Sequence, residues 1–197
     1  MSLESTKAFN RRILNPIYAE HVFVGNGIDI GSGHDSLFKQ REHWPHMLSC
    51  YSWDWPDGDA QEMPGLLPET FHFVYSSHTL EHVREPRITL ARWWDLIRPG
   101  GHLLVQVPDE DMYEQGVFPS TWNPDHKSTF AVGKESSWSP VSHNLDQLIR
   151  ELPTATLLQC QRLTEHFRVD WPRQDQTNGP AECAIEAIAR KGLPRNT

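Results

Sequence analysis

Residues 71–107 constrain the fold of this chain more than any other stretch. Phe71–Ser76 is an apolar run of strand type. Pro86 then stands at the first turn of a helix, where its missing N–H leaves no backbone bond unmade. Ile88, Leu90, Ala91, Trp94, Leu96 and Ile97 recur with a helical period. Pro99-Gly100-Gly101 ends that helix, and His102–Val107 forms a second strand. Strand, helix, tight turn and strand make a βαβ unit with a right-handed crossover. The chain is therefore expected to be α/β, with a mostly parallel sheet between layers of helix.

The other segments extend this pattern. Residues 3–20 mix charges with Leu3, Phe9, Ile13 and Ile17, which predicts a short N-terminal helix and arm limited by Pro16. Gly25-Asn26-Gly27 is a turn signal before a strand at Ile28–Ile30. Residues 34–43 have room for one or two helical turns before Pro45, and Met47–Trp53 is a second strand. Residues 54–70 read as loop, 78–83 as a short helical stretch, and 108–127 as a long polar and aromatic loop. Residues 142–152 look helical and stop at Pro153. Ala155–Leu163 and Glu182–Arg190 are expected as antiparallel strands at the end of the sheet.

Composition excludes several classes. Acids outnumber bases 26 to 18, a formal charge of −8, which argues against a nucleic-acid partner because phosphate contacts need a basic face. Cys50, Cys160 and Cys183 form no CxxC pair, and their odd number suits a reducing, cytoplasmic setting. No apolar run approaches the roughly 18–20 residues that span a bilayer, so no membrane partner is expected. Neither G-x-S-x-G nor G-x-x-x-x-G-K-[ST] occurs.

The first chemical feature is Asp29-Ile30-Gly31-Ser32-Gly33, a short strand ending in a turn of small residues. Its glycines permit positive φ and close approach of a ligand to the backbone. A helix beginning after it would aim free N–H groups at an anion. Alone, the segment is equally a plain turn. Dinucleotide-binding dehydrogenases carry G-x-G-x-x-G at such a place, and here Ser36 occupies the third glycine's position.

Four blocks taken in order carry more. They are Gly27-Ile28-Asp29-Ile30-Gly31-Ser32-Gly33, Gly58-Asp59-Ala60-Gln61-Glu62-Met63-Pro64, Phe71 to Val83 with Ser76-Ser77-His78-Thr79-Leu80-Glu81-His82, and Leu96-Ile97-Arg98-Pro99-Gly100-Gly101-His102-Leu103. In this order they resemble the class I S-adenosylmethionine-dependent methyltransferases. The resemblance implies a Rossmann-like three-layer sandwich, with S-adenosylmethionine as cofactor and S-adenosylhomocysteine as product. It places the methionine end of the cofactor at Gly31, Ser32 and Gly33, with Asp29 orienting the turn or meeting the amino group. An acid at the end of the second strand would hold the ribose diol. That acid is Asp54, with Asp57 as the alternative. Asp59 and Ala60 match the position that meets adenine, and Ser76, Ser77 and His78 would face cofactor or substrate at the strand end.

Three features depart from the family. Asp35 stands where its loop has a third glycine, and His72 where aspartate is usual. Residues 34–58 are too few for a helix, a strand, a second helix and a third strand. The sheet is therefore expected to be shortened between strands one and four. The expected organisation is a single domain over 1–197: arm 1–24, cofactor-binding core 25–107, substrate lid 108–140 and the C-terminal part of the sheet 141–197.

Methyl transfer needs few catalytic side chains, and a base only where the acceptor carries a proton. His126, in the loop after the core, is the candidate catalytic residue, because similar methyltransferases have a substrate-facing histidine there. Its alternative is a loop histidine bonded to backbone. His82 is expected to pack beneath the sheet end. His43 and His46 are separated by Trp44-Pro45 and have no cysteine partner, so they make a poor zinc pair. Asp109, Glu110, Asp111 and Glu114 are expected to be a solvated loop rather than a cation site, and no metal is expected. Tyr113, Phe118, Trp122, Phe130 and Trp138 would close the lid. The expected activity is methyl transfer to oxygen or nitrogen of a small metabolite or glycan. The alternatives are a non-catalytic cofactor- or partner-binding domain with this fold, and a nicotinamide dehydrogenase.

Overall fold

The structure is a computed structural model that describes residues 3–193; the outermost ends of the expected arm and C-terminal part lie outside the described residues. Helix α1 (Glu4–Ile13) and one wide turn at Tyr18–Val22 lead into strand β1 (Gly25–Ile30). Then come β2 (Met47–Trp53), β3 (Phe71–Ser77), α2 (Pro86–Asp95) and β4 (Ile97–Pro108). The C-terminal part adds β5 (Thr129–Ala131), β6 (Ser142–Asn144), α3 (Leu145–Arg150), β7 (Ala155–Leu163) and β8 (Ala184–Lys191).

Six strands form the main sheet in the order β2-β1-β3-β4-β8-β7. Its first four strands are parallel, and β8 joins β4 and β7 antiparallel. Strands β5 and β6 pair in a small separate sheet. The expected shortening is visible at the edge. Among the described residues no strand lies beyond β2, and residues 34–46 supply only a 3-10 helix at Leu37–His43. Strand β4 begins earlier than the sequence indicates. Its register to β3 jumps from Phe71–Ile97 to Phe73–His102, so the segment containing Pro99-Gly100-Gly101 is an irregularity inside the strand. Ile97 therefore belongs to the strand rather than to the helix before it.

The sheet is covered on both faces. Ile28, Ile30, Val74, Leu103, Val105, Ile185 and Ala187 pack with Leu90, Trp93 and Trp94 of α2 and Leu148 and Ile149 of α3. Burying each large apolar side chain contributes about 1.5–3 kcal/mol. The opposite face puts Phe73, Tyr75, Leu104 and Ile188 against Tyr18, Val22, Phe23, Leu37 and Trp44. A polar seam crosses this second face. The Arg12 guanidinium is fully buried and donates to Glu186 Oε2 at 2.8 Å, Gln106 Oε1 at 2.7 Å and the Tyr75 hydroxyl at 3.0 Å. This network anchors α1 to the sheet. Among the described residues the cysteines are free thiols, and no helix is long and apolar enough to cross a membrane.

Candidate active site

The turn after β1 sits at the carboxyl ends of the parallel strands, where open α/β sheets bind ligands. Gly31 has φ +75° and packs on the next strand's loop: a Cβ there would fall 1.9 Å from Thr79 Oγ1. Gly33, at φ +48°, faces open space. Only glycine takes both conformations without strain. Asp29 is buried, and its carboxylate accepts the Leu37 N–H at 2.7 Å, tying the 3-10 helix to β1. Burial is the chief cause that pushes its carboxyl up to about 7. Asp35, at the missing glycine's position, has a structural use. It accepts the Thr6 N–H at 2.9 Å and the Thr6 hydroxyl at 2.5 Å. It thereby satisfies a first-turn donor of α1, whose N-cap, Leu3, offers no side-chain acceptor.

Two cavities open from this turn and share Gly31 and His82 in their walls. One, about 490 Å³, lies against Trp53, Asp54, Trp55, Asp59 and Ala60. Strand β2 delivers Asp54 to its rim, and the Asp54 carboxylate accepts from Gly33 N at 3.1 Å and Trp55 N at 2.8 Å. Asp57 is not in that wall; it holds the Asp54 N–H at 3.0 Å and the Tyr51 hydroxyl at 3.0 Å. The Asp59 carboxylate accepts the Gln61 N–H at 2.7 Å and lies 3.5 Å from Arg84.

The other cavity, about 420 Å³, takes in Ser32, Gly33, Ser77, His78, Glu81, Tyr113 and His126. His126 is buried, and its Nδ1 donates to Glu114 Oε1 at 2.6 Å. That bond fixes the tautomer and leaves Nε2 with its lone pair, the arrangement of an oriented base. His82 is not packed under the sheet as the sequence indicates. It stands at the junction of the cavities, and its Nδ1 donates to Asp125 Oδ2 at 2.9 Å. Burial is the chief cause that lowers His78 to about 3, so the ring is neutral; its Nδ1 pairs with the Ser77 hydroxyl at 3.0 Å. Burial raises Glu81 to about 8.

Not every expected residue reaches the crevice. Ser76 is buried below it and its hydroxyl donates to the Ile30 carbonyl at 3.0 Å, because β3 turns that side chain toward β1. Phe130 is wholly buried core rather than lid. The acidic cluster is not solvated either. Asp109, Glu110 and Glu114 are at most 1% exposed. Asp109 pairs with Arg162 at 2.9 Å and caps the backbone of Asp111 and Met112. Glu110 gathers Thr129, Lys134, Ser137 and Ser142. Glu110 thereby fastens the loop after β4 to the small β5–β6 sheet, and Asp109 fastens it to β7. Sequence reasoning gave no role to Glu81 or to Glu114. Glu81 lay inside a quoted block, but burial of an acid between Leu80 and His82 has no signature in spacing.

The joined cavities stand at the strand ends of a mostly parallel sheet, the place where enzymes of the open α/β class hold their ligands. The family described as methyltransferase domain matches residues 4–152, from α1 through α3, and the chain belongs to it. It is a class I methyltransferase, the class whose methyl donor is S-adenosylmethionine. Over 51 residues it is 43% identical to trans-aconitate 2-methyltransferase of Deinococcus radiodurans, an alignment spanning 26% of this chain and 18% of that relative. A SAM-dependent methyltransferase from Archaeoglobus fulgidus superposes with a TM-score of 0.59 at 16% identity, covering 96% of this chain and 95% of that one. One from Methanosarcina mazei gives 0.58 at 13% identity, covering 91% and 99%. At such identities the likeness is one of fold.

Proposed function

We propose that the chain binds S-adenosylmethionine along the joined cavities and moves its methyl group to an oxygen or nitrogen of a small metabolite or glycan lying against His126. The observation that carries this reading is the meeting of the two cavities at Gly31 and His82. One side offers carboxylates for a ribose diol and an adenine amine, the other an oriented imidazole.

The residues fit the cofactor by their chemistry. Asp54 and Asp59 are acceptors, as a diol and an exocyclic amine require. The Gly31–Gly33 turn leaves space where any side chain at 33 would intrude. When bound, the cofactor supplies a methyl group on a positively charged sulfur. The chain's own residues then orient and exclude water. Asp54 and Asp59 hold the adenosine end, and the small-residue turn holds the methionine end, with Asp29 keeping its shape. His126 Nε2 takes the proton of an acceptor hydroxyl, and Glu114 holds the resulting imidazolium. Tyr113 and Asn123 of segment 108–140 close over the acceptor. The acceptor of the Deinococcus relative is not carried over, because the alignment reaches under a fifth of that protein.

The test is calorimetry with S-adenosylhomocysteine and, separately, NADH. The first binds and Asp59→Ala weakens it; the second does not. Background heat with both would support the non-catalytic alternative, and NADH binding alone the dehydrogenase. Transfer of a labelled methyl group into a small-molecule extract identifies the acceptor.

A further inference from the structure

The wall between the cavities holds a cluster that methyl transfer by a single base does not use. One carboxylate oxygen of Glu81, one nitrogen of His82 and one nitrogen of His126 all lie within 4.8 Å of one another. Glu81 is 1% exposed, lines the cavity, and among the described residues neither of its oxygens has a hydrogen-bond partner. A buried carboxylate left so is costly unless a ligand completes it.

The two histidines are prepared alike. Each gives its Nδ1–H to a carboxylate, His126 to Glu114 and His82 to Asp125, which leaves the Nε2 lone pairs for the cavity. His82 Nε2 stands 3.8 Å from Glu81 Oε1. Imidazole with its far nitrogen on a carboxylate is the usual support of a metal-binding histidine. The two loops that carry the cluster are also stapled together, because Lys127 N and Ser128 N donate to the Glu81 carbonyl at 2.8 and 3.2 Å. The donors therefore sit on a fixed frame.

We infer that Glu81, His82 and His126 bind a divalent first-row transition cation beside the acceptor site. Two nitrogens and one oxygen suit Mn²⁺, Fe²⁺, Co²⁺ or Zn²⁺ better than Mg²⁺ or Ca²⁺, which prefer oxygen throughout. Bonds of about 2.0–2.2 Å draw the three side chains slightly together. Three protein ligands leave positions open toward the cavity. The role in transfer rests on the proposed function; the binding does not. With the cation in place, His126 is a ligand rather than the base. The cation's field then eases ionisation of an acceptor hydroxyl: the proton passes to solvent, and the freed oxygen pair forms the bond to the methyl carbon. The carbon–sulfur bond breaks with its pair left on sulfur.

The test titrates the metal-free chain with CoCl₂ and follows the visible d–d absorption, which reports the coordination geometry and ligand field of the bound ion. S-adenosylhomocysteine affinity is measured on the same samples. One equivalent of Co²⁺ is expected to bind. Glu81→Gln, His82→Gln and His126→Gln should each weaken it by at least about 10-fold. His46→Gln, on an exposed side chain elsewhere, should leave it unchanged. His82 is part-exposed, so its variant keeps the test valid if Glu81→Gln does not fold. No Co²⁺ uptake by a chain that still binds S-adenosylhomocysteine overturns the cation site and spares the methyltransferase reading. Uptake unaffected by all three variants overturns the assignment to these residues. Co²⁺ uptake without S-adenosylhomocysteine binding supports the site and counts against the proposed cofactor crevice.

Discussion

The two halves of the crevice are built on opposite principles. The half lined by Trp53 presents Asp54 and Asp59 at the rim, partly in water, each steadied by backbone N–H groups: Asp54 by Trp55 and by Gly33 of the turn after β1, Asp59 by Gln61. The half around His126 buries Glu81, Glu114 and His126 and ties loops together: Glu114 holds His126 and the exposed Asp125 holds His82, while among the described residues the Glu81 oxygens have no hydrogen-bond partner. A rim of solvated carboxylates recognises a neutral, hydroxyl-rich ligand at little cost to the fold. A buried set of Lewis bases costs stability and is kept where chemistry needs a low dielectric. On the proposed reading, recognition and reaction occupy separate environments either side of Gly31.

Substitutions on each side break the comparison in different ways. His126→Ala should lower methyl incorporation by about 10²–10⁴-fold while S-adenosylhomocysteine affinity stays within about 2-fold. Equal losses in both would erase the division. Asp59→Ala, and likewise Asp54→Ala, should weaken S-adenosylhomocysteine by about 10–100-fold, the worth of a hydrogen bond to a charged group. Turnover at saturating cofactor should hardly move, as calorimetry and initial rates will show. Glu114→Gln should reduce incorporation by about 10-fold, less than loss of the imidazole itself, because it alters only how the ring is held. A reduction as large as that of His126→Ala would make Glu114 more than an orienting partner.

The gentlest probe is Asp29→Asn, which keeps an acceptor for Leu37 N. The folded carboxyl titrates near 7 against an ordinary value of 3.8, so the folded chain holds a proton that the unfolded chain releases between those values. Asp29 therefore supports folding best below about pH 4 and loses that support as pH rises toward 7. Relative to the parent, the asparagine variant should gain stability from pH 5 to pH 8 in urea titrations. A constant difference would place the proton elsewhere.

How much of this was legible beforehand follows from the same contrast. Strands Met47–Trp53 and Ala155–Leu163 were readable to the residue, because Pro45 and Pro153 punctuate them and their apolar residues are local signals. That no strand lies beyond β2 among the described residues was readable from the length of 34–58 set against what the resembled family fits there. That Asp54 lines a cavity at the strand ends was legible too, since it directly follows a strand in sequence. The half around His126 was not. Ser76 lies one residue before the cavity wall, and which way it faces is set by pairing with β1. Glu81, His82, Glu114 and His126 meet only because the loop after β4 returns to bond the Glu81 carbonyl, a contact between segments remote in sequence. The acids at 109–114 looked solvated because composition does not reveal that Arg162 and Lys134 arrive from elsewhere.

Asp35 ties helix α1 to the turn that the proposed donor site uses. Its grip on Thr6 lies two residues from the turn of Gly31–Gly33, so on the proposed reading docking of helix α1 and occupancy of the crevice are one linked equilibrium. A fusion tag, a protease nick or an antibody at that end will register as altered affinity for the sulfonium, though none of them touches it.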